Sequence, residues 1–353
     1  MKQKLLSTIV ISAVALTTSL SANAANVYKD DNSKLDVVGR VKFNINNNDA
    51  DSVHRESGTA RLGLDGKTKV NDAFGVFGYI IYDLAAQETE NVADRLKIRE
   101  AWVGFDFNEF GKVSFGRYTD AFYLVTKVTD LFVDWGKYNG VTYWGLTKND
   151  FGGRKDGQVK YQVKYNGLHF AASYQFKQSN KYINYGTGFS AGYIGEIGDK
   201  SIGILAGYNH YDGLTNQPDS GYHENGLFYG ADKNEAAVSV FYGDFGAPGL
   251  YAAAVYNYGK LDRTYKSNGV EAALSYTTPG TDWTFTANYQ YAHNGDEKLS
   301  RSDLSVLKSA WTGEILYRVT PKFNIYTDFE HRYKSVLKKE KEDLATIGLI
   351  YNF

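Results

Sequence analysis

The feature that most constrains the fold of this chain is a repeated alternation of apolar and polar residues. From Trp283 to Tyr291, for example, aromatic or small apolar residues alternate with Thr, Asn and Gln. Residues 345–353 follow a similar pattern. Successive side chains of a β-strand point to opposite faces, so each segment is predicted to be a strand with one apolar and one polar face.

Sixteen candidate strands follow one another along the chain. They are predicted to start near residues 34, 58, 73, 94, 111, 157, 168, 185, 201, 235, 249, 267, 281, 303, 322 and 341. Short connections are predicted at 71–72, 108–110, 166–167, 198–200, 246–248, 279–280 and 320–321. Long connections are predicted near 46–57, 86–93, 118–156, 178–184, 212–234, 260–266, 294–302 and 334–340. Tight turns at one rim and long loops at the other are typical of a membrane barrel, whose strands need about 9–11 residues. The sequence therefore predicts an all-β, 16-stranded antiparallel transmembrane β-barrel.

Two soluble all-β folds, a β-sandwich and a β-helix, are the alternatives. No short tandem repeat marks a solenoid. A sandwich would also alternate, but it would not need a polar face on every strand or Tyr at so many strand ends. The chain has 29 Tyr, and their position at strand ends suggests interfacial aromatic girdles. A closed barrel is the one sheet in which every backbone group pairs inside a bilayer.

The first 24 residues differ from the rest of the chain. Two lysines precede an apolar run, Leu5 to Leu20, and a small-x-small site ends at Ala24. This pattern predicts a signal peptide, residues 1–24, that is cleaved to leave residues 25–353 as a single barrel domain. The cleavage takes the formal net charge from −1 to −3. A near-neutral chain argues against a nucleic-acid partner, and the absence of Cys excludes disulfides and zinc–thiolate sites.

The stretch from Tyr118 to Arg154 is the exception to the alternation. It is rich in aromatic residues and carries acids at Asp120, Asp130 and Asp134. A connection of this length is usually functional. We interpret it as a loop folded into the lumen that forms a constriction, with a surface loop carrying a short helix as the alternative.

Several segments, in this order and spacing, resemble the general diffusion porins of the Gram-negative outer membrane. They are KLDVVGRVKF, ARLGLDGKTKV, RLKIREAWVGF, KVSFGR, FGGRKDGQVKYQVKYNGLHFAASYQF and the terminal IGLIYNF. The resemblance implies an outer-membrane channel for passive diffusion of ions and small hydrophilic solutes. It also implies a homotrimer, contact with outer-membrane lipid and lipopolysaccharide, and insertion by the barrel-assembly machinery. In such porins the third external loop folds inward, as proposed above for residues 118–154.

The resemblance also implies a ladder of basic residues on the pore wall that faces acids on this loop. The matching wall positions are Arg40, Arg61, Arg99 and Arg154, with Lys97 close by. The matching loop acids are Asp130 and Asp134, to which Asp120 adds a third, and Lys137 stands near the loop tip. Strand parity supports lumen-facing positions for Arg40, Arg61 and Arg99, and Lys97 shares the face of Arg99. Charge counting predicts low selectivity, because the local charges lean towards anions and the mature net charge of −3 pulls the other way. Lys137 is the most sensitive position.

Two further roles follow from the resemblance. The loop after the third predicted strand resembles the family's latching loop, so Glu90 is a candidate partner for Arg117 of a neighbouring subunit. Phe353 ends an alternating aromatic strand and is the expected assembly signal.

Other function classes fit less well. None of the six His stands in a nucleophile motif, and no phosphate-binding glycine loop is present, so we predict no enzyme, cofactor or metal site. A substrate-selective porin for sugars is the runner-up, because Phe122, Tyr123 and Trp135 could line a sugar path. A receptor or adhesion barrel with a plugged lumen fits poorly, since no plug sequence precedes the first predicted strand.

Overall fold

A computed structural model describes residues 24–48, 53–85, 96–134, 154–177, 183–214, 221–222, 228–229, 232–261, 265–294, 306–335 and 342–353. These residues form nineteen strands, one α-helix and two 3-10 turns. The strands are β1 Ala25–Lys29, β2 Ser33–Asn48, β3 Val53–Lys69, β4 Gly75–Ala85, β5 Leu96–Asp106, β6 Lys112–Thr119, β7 Arg154–Tyr165, β8 Leu168–Gln175, β9 Ile183–Ile197, β10 Lys200–Gly213, β11 Gly221–Tyr222, β12 Phe228–Tyr229, β13 Lys233–Tyr242, β14 Gly249–Leu261, β15 Tyr265–Thr277, β16 Trp283–Asn294, β17 Val306–Thr320, β18 Phe323–Ser335 and β19 Glu342–Asn352. The helix α1 is Tyr123–Thr126, and the 3-10 turns are Asn108–Phe110 and Lys127–Thr129.

Sixteen of the strands close into one antiparallel ring. From β2 to β10 and from β13 to β19, each strand pairs with the next, β10 pairs with β13, and β19 pairs back onto β2. β1 pairs with the start of β2, next to the place where β19 ends. β11 and β12 form a separate two-stranded hairpin. The predicted 16-stranded antiparallel barrel is confirmed.

The observed strands start within five residues of the predicted positions. The largest difference is at β3, which begins at Val53 and pairs with β2 from there on. The start of β3 is polar and lacks the apolar–polar alternation from which strands were predicted. β1 was also not predicted. It is five residues long, and its turn is held by the Asp30 carboxylate, which accepts hydrogen bonds from the amides of Asn32 at 2.8 Å and Ser33 at 2.6 Å.

The faces of the barrel are inverted relative to a soluble protein. On β19 the apolar side chains are exposed, with Ile347 at 57% and Leu349 at 42%, whereas Thr346 is 2% exposed. On β16 Thr284, Gln290 and the polar residues between them are buried. An apolar outer surface with a polar interior is what a bilayer requires of a barrel and what a soluble sandwich would reverse. Among the described helices, none is long and apolar enough to cross a membrane.

Candidate functional site

Residues 120–134 follow β6 and contact side chains of β10, β13–β15, β17, β18 and β2. The segment begins at Asp120, whose carboxylate accepts hydrogen bonds from Tyr211 at 2.7 Å and from Asn209 at 3.1 Å, both on β10. The same carboxylate accepts the amide of Tyr123 at 3.1 Å, at the start of α1. Asp120 is therefore a buried attachment point that fixes the direction in which the segment leaves its strand.

The middle of the segment is held by an apolar cluster, which we call the apolar anchor. Its loop members are Phe122, Val125, Val128, Leu131 and Phe132, and its wall members on β10 and β13–β15 are Leu205, Ala237, Phe241, Tyr251, Ala253, Val255 and Ala273. The Tyr251 hydroxyl also donates to the carbonyl oxygen of Val128 at 2.8 Å. The loop's apolar side chains thus meet a patch of apolar side chains on an otherwise polar inner wall.

Beyond the apolar anchor, the segment is tied to buried carboxylates of the wall. Thr129 Oγ1 donates to Glu271 Oε2 on β15 at 2.5 Å, and the amide of Val133 donates to Glu314 Oε2 on β17 at 2.8 Å. Both carboxylates are buried. Buried polar groups are almost always hydrogen-bonded, so these two contacts hold the segment against the strands that carry them.

The segment reaches β18 and β2 at Asp134. The Asp134 amide donates to Asp328 at 2.8 Å. Its carboxylate forms an ion pair with Lys42, accepts a hydrogen bond from Asn44 at 2.8 Å and a second from the Tyr326 hydroxyl. Asp134 is therefore bound to polar side chains of the first and next-to-last barrel strands.

The predicted basic residues lie on β2, β3, β5 and β7 and form what we call the basic wall: Arg40, Arg61, Arg99 and Arg154. Arg40 on β2 lies directly opposite Arg61 on β3, and Arg61 lies opposite Asp83 on β4. Asp83 in turn lies opposite Lys97, which is exposed. The Asp83 carboxylate binds two arginines, with Arg61 Nε at 2.7 Å from Oδ1 and an Arg99 guanidinium nitrogen at 3.0 Å from Oδ2.

The fourth member of the basic wall, Arg154, is paired with Glu100. Arg154 Nε lies 2.6 Å from Glu100 Oε1. Glu100 reaches this position because the β4–β5 register shifts between Ile81 and Tyr82, so that Ile81 faces Glu100 and Tyr82 faces Ile98. A β-bulge of this kind turns two successive residues to one side of a sheet. Because of this bulge, Arg99 can bind Asp83 while the next residue, Glu100, binds Arg154.

Other predicted residues have different surroundings. Asp130 accepts a hydrogen bond from the Tyr123 hydroxyl at 2.9 Å. Phe122 is 5% exposed and packs in the apolar anchor, so its ring offers no face to a passing sugar. Lys137 and Trp135 lie outside the described residues, as do the predicted signal peptide up to residue 23 and Glu90.

Lys127 lies in the loop segment between Asp120 and Asp134. Burial and, to a smaller extent, the nearby charge of Lys164 together lower the pKa of its ammonium group to about 8. A loop lysine with this pKa changes charge within an accessible pH range.

The predicted trimer contact Arg117 has partners within its own chain. Its guanidinium lies 2.6 Å from Asp156 Oδ1, and its Nε donates to the carbonyl oxygen of Ile98 at 3.1 Å. In the described part of the chain, no group of three His, Asp or Glu side chains is arranged to hold a metal ion.

Sequence reasoning found the arginines but missed the acids that bind them, Asp83 and Glu100, and also missed Lys42, the partner of Asp134. Lys42 has the same strand parity as Arg40, so it was detectable on the polar face of β2. Glu100 was not detectable, because the bulge breaks the alternation that parity depends on. The acids Glu271, Glu314 and Asp328 lie far from the loop in the sequence, and nothing in the sequence indicates that the loop reaches them.

Comparison with known proteins decides the family. The protein-family model described as "Gram-negative porin" matches residues 11–351 of this chain. The chain belongs to the Gram-negative porins. Among curated relatives, the outer membrane porin protein LC of Enterobacteria phage PA-2 is 27% identical, over 98% of this porin and 99% of the relative. OmpD of Citrobacter koseri is 31% identical over 69% of each chain.

Solved porins share the fold. OmpF of Salmonella typhi, solved in complex with daunomycin, superposes with a TM-score of 0.76 at 22% identity, over 93% of this porin and all of that chain. The anion-selective porin of Comamonas acidovorans gives a TM-score of 0.67 at 15% identity, over 91% and 100% of the two chains. This porin is therefore an outer-membrane protein, and its family and fold are those of a channel rather than an enzyme.

Proposed function

We propose that this porin forms a water-filled channel for passive diffusion of ions and small hydrophilic solutes. The observation that carries the proposal is the chemistry of the inner wall. Asn257 and Asn288 are buried, and neither the amide nitrogen nor the oxygen of either side chain has a hydrogen-bond partner among the described residues. Buried polar groups are almost always hydrogen-bonded, so such groups on the interior of a barrel favour a lumen filled with water.

We further propose that residues 118–154 narrow this channel. The contacts of residues 120–134, which run from β10 through β15 and β18 to β2, support this role. A segment attached along that arc would leave open the part of the lumen beside the basic wall. Opposed charges across a narrow, low-dielectric waist would keep it hydrated without binding one ion strongly, which is consistent with weak selectivity.

The test is reconstitution of the purified protein into planar bilayers and liposomes. We expect discrete conductance steps, and swelling of the liposomes in small sugars but not in large oligosaccharides. A protein that folds and inserts but gives neither conductance nor swelling contradicts the channel function. Saturable flux of one sugar class would instead support the substrate-selective alternative.

The constriction has its own test at Lys137. Lys137→Glu changes the loop by two charges, so the reversal potential in a salt gradient should move towards cations. Lys69→Glu, at the end of β3, applies the same charge change far from the basic wall. An equal response to both substitutions contradicts the placement of Lys137 in the waist.

A homotrimer is part of the proposal. OmpT of Vibrio cholerae, which has the same fold with a TM-score of 0.65 at 16% identity, has been solved in a trimer form. If Glu90 of one subunit reaches Arg117 of the next, it competes with Asp156, which already binds that guanidinium. Exposed ion pairs contribute about 0–1 kcal/mol, so Glu90→Ala should lower the melting temperature of the trimer only if the pair is desolvated.

The remaining partners follow from an outer-membrane barrel. The apolar outer surface is expected to contact outer-membrane lipid and lipopolysaccharide, and insertion is expected to need the barrel-assembly machinery. Export would depend on cleavage of residues 1–24, and mass spectrometry of the mature N-terminus tests the site after Ala24.

A further inference from the structure

The basic wall carries its own counter-charges. Arg61 and Arg99 share the Asp83 carboxylate, with one oxygen bound to each, at 2.7 Å and 3.0 Å. Asp83 lies on β4, between the two strands that carry these arginines. The pairing is therefore built into the sheet and does not depend on the position of the loop.

The second counter-charge is Glu100, which binds Arg154 at 2.6 Å. Both side chains are partly shielded, at 20% and 24% exposure, whereas the side chain of Asp83 is 41% exposed. The bulge in β5 is what turns Glu100 towards Arg154, since a regular strand would turn Arg99 and Glu100 to opposite faces.

The loop does not supply these counter-charges in the described residues. Asp134, at the end of the described segment, pairs with Lys42, and Asp130 is hydrogen-bonded to Tyr123. Three of the four arginines are thus bound to acids of the barrel strands. Arg40 differs from them, since its Nε has no hydrogen-bond partner among the described residues.

We propose that Asp83 and Glu100 are the residues that hold this pore close to neutral selectivity. This inference rests on the channel proposed above. Without the two carboxylates, the guanidinium groups of Arg61, Arg99 and Arg154 would present their full charge to the lumen. With the two carboxylates present, the arginines act as parts of ion pairs, whose electric field decreases faster with distance than that of a single charge. A passing anion is therefore attracted only weakly.

The competing explanation is that Asp83 and Glu100 only hold the arginine side chains in place. Loss of a purely positional contact would change the width of the pore, and therefore its conductance, without a directed change in the permeability ratio. Loss of a counter-charge would shift that ratio towards anions. Selectivity and conductance measured together therefore separate the two roles.

The experiment measures reversal potentials of purified trimers in planar bilayers across a potassium chloride gradient. We expect Asp83→Asn and Glu100→Gln each to raise the chloride-to-potassium permeability ratio about two- to fivefold, the effect of one unit charge at high effective dielectric. Asp83→Asn combined with Arg99→Gln restores the net charge and should return the ratio towards that of the wild type.

Asp65→Asn is the matched control. Asp65 lies on β3, is nearly buried and pairs with Lys67 at 2.9 Å, so the substitution removes a paired lumen carboxylate of the same kind. It is four residues from Arg61, roughly 13 Å along the strand and beyond one Debye length at physiological ionic strength. Its effect on the permeability ratio should be clearly smaller.

Heat-modifiable mobility verifies that each variant folds, and Glu100→Gln alone decides the question if Asp83→Asn does not assemble. Permeability ratios that move no further in folded Asp83→Asn and Glu100→Gln than in Asp65→Asn overturn the inference while leaving the channel function intact. A folded wild-type protein that conducts no ions overturns the channel function and the inference with it.

Discussion

Gly39 and Phe353 join the first and last barrel strands through a reciprocal pair of backbone hydrogen bonds. The Gly39 amide donates to the Phe353 carbonyl oxygen at 2.8 Å, and the Phe353 amide donates to the Gly39 carbonyl oxygen at 3.0 Å. A Cβ atom at residue 39 would overlap the Phe353 ring and lie 2.6 Å from the carbonyl oxygen of Arg61. Glycine is therefore required where the chain closes on itself.

The first prediction concerns this closure. Gly39→Ala should destabilise the barrel by about 1–3 kcal/mol, because the added methyl group overpacks the site against Phe353 and the β3 backbone. Gly78→Ala is the matched control, since a Cβ atom at Gly78 has no neighbour within 4 Å. Urea unfolding in detergent micelles gives both free energies. Equal losses for the two variants would contradict the role of Gly39 in closure.

The second prediction concerns Phe353 itself. Deletion of Phe353 removes both hydrogen bonds to Gly39 and the ring that covers it, so the yield of folded barrel in the outer membrane should fall. Heat-modifiable mobility of outer-membrane fractions measures that yield. A yield equal to that of the wild type would rule out Phe353 as an assembly signal.

The third prediction concerns attachment of the loop segment. Thr129→Val keeps the shape of the side chain but leaves the buried Glu271 carboxyl group without its 2.5 Å donor, at a cost of about 1–3 kcal/mol. Thr129→Ser keeps the hydroxyl and should lose less. Thermal unfolding gives the stability of each variant, and open-channel current noise reports on loop motion. Valine and serine variants that behave alike would show that this hydrogen bond does not hold the loop.

The fourth prediction concerns the ion pair of Asp134 and Lys42. Asp134→Asn frees the lysine charge, so the reversal potential should move towards anions. Lys42→Met should move it towards cations, and the double variant should lie near the wild type because the two changes cancel. These four proteins form a double-mutant cycle. If all four have the same reversal potential, the pair does not face the conducting path.

The fifth prediction concerns pH. The pKa of Lys127 is lowered to about 8, mainly by burial, so its side chain loses a positive charge as the pH rises from 7 to 9. The lumen becomes more negative in the same range, and the pore should shift towards cations with a midpoint near pH 8. Lys127→Met should abolish the change in the reversal potential near pH 8, whereas Lys67→Met should leave that change in place. A titration in Lys127→Met identical to the wild type would contradict the assignment.

The sequence alone determined the barrel and much of its basic wall. Strand alternation has a period of two residues, so parity gave the polar face of each strand without knowledge of its neighbours. The sixteen strand positions and the family membership followed from local pattern and order, and both are confirmed. The local pattern also put Arg40, Arg61 and Arg99 on the polar faces of their strands.

Only the tertiary structure decided which charges meet. The partners of Arg154 and Thr129 lie 54 and 142 residues away in the chain, and no local pattern encodes such a distance. The bulge that turns Glu100 inward is a change of register between two strands, so it exists only once they pair. The course of residues 120–134 depends on an apolar patch assembled from β10 and β13–β15, whose members are separate in sequence and adjacent only in the closed sheet.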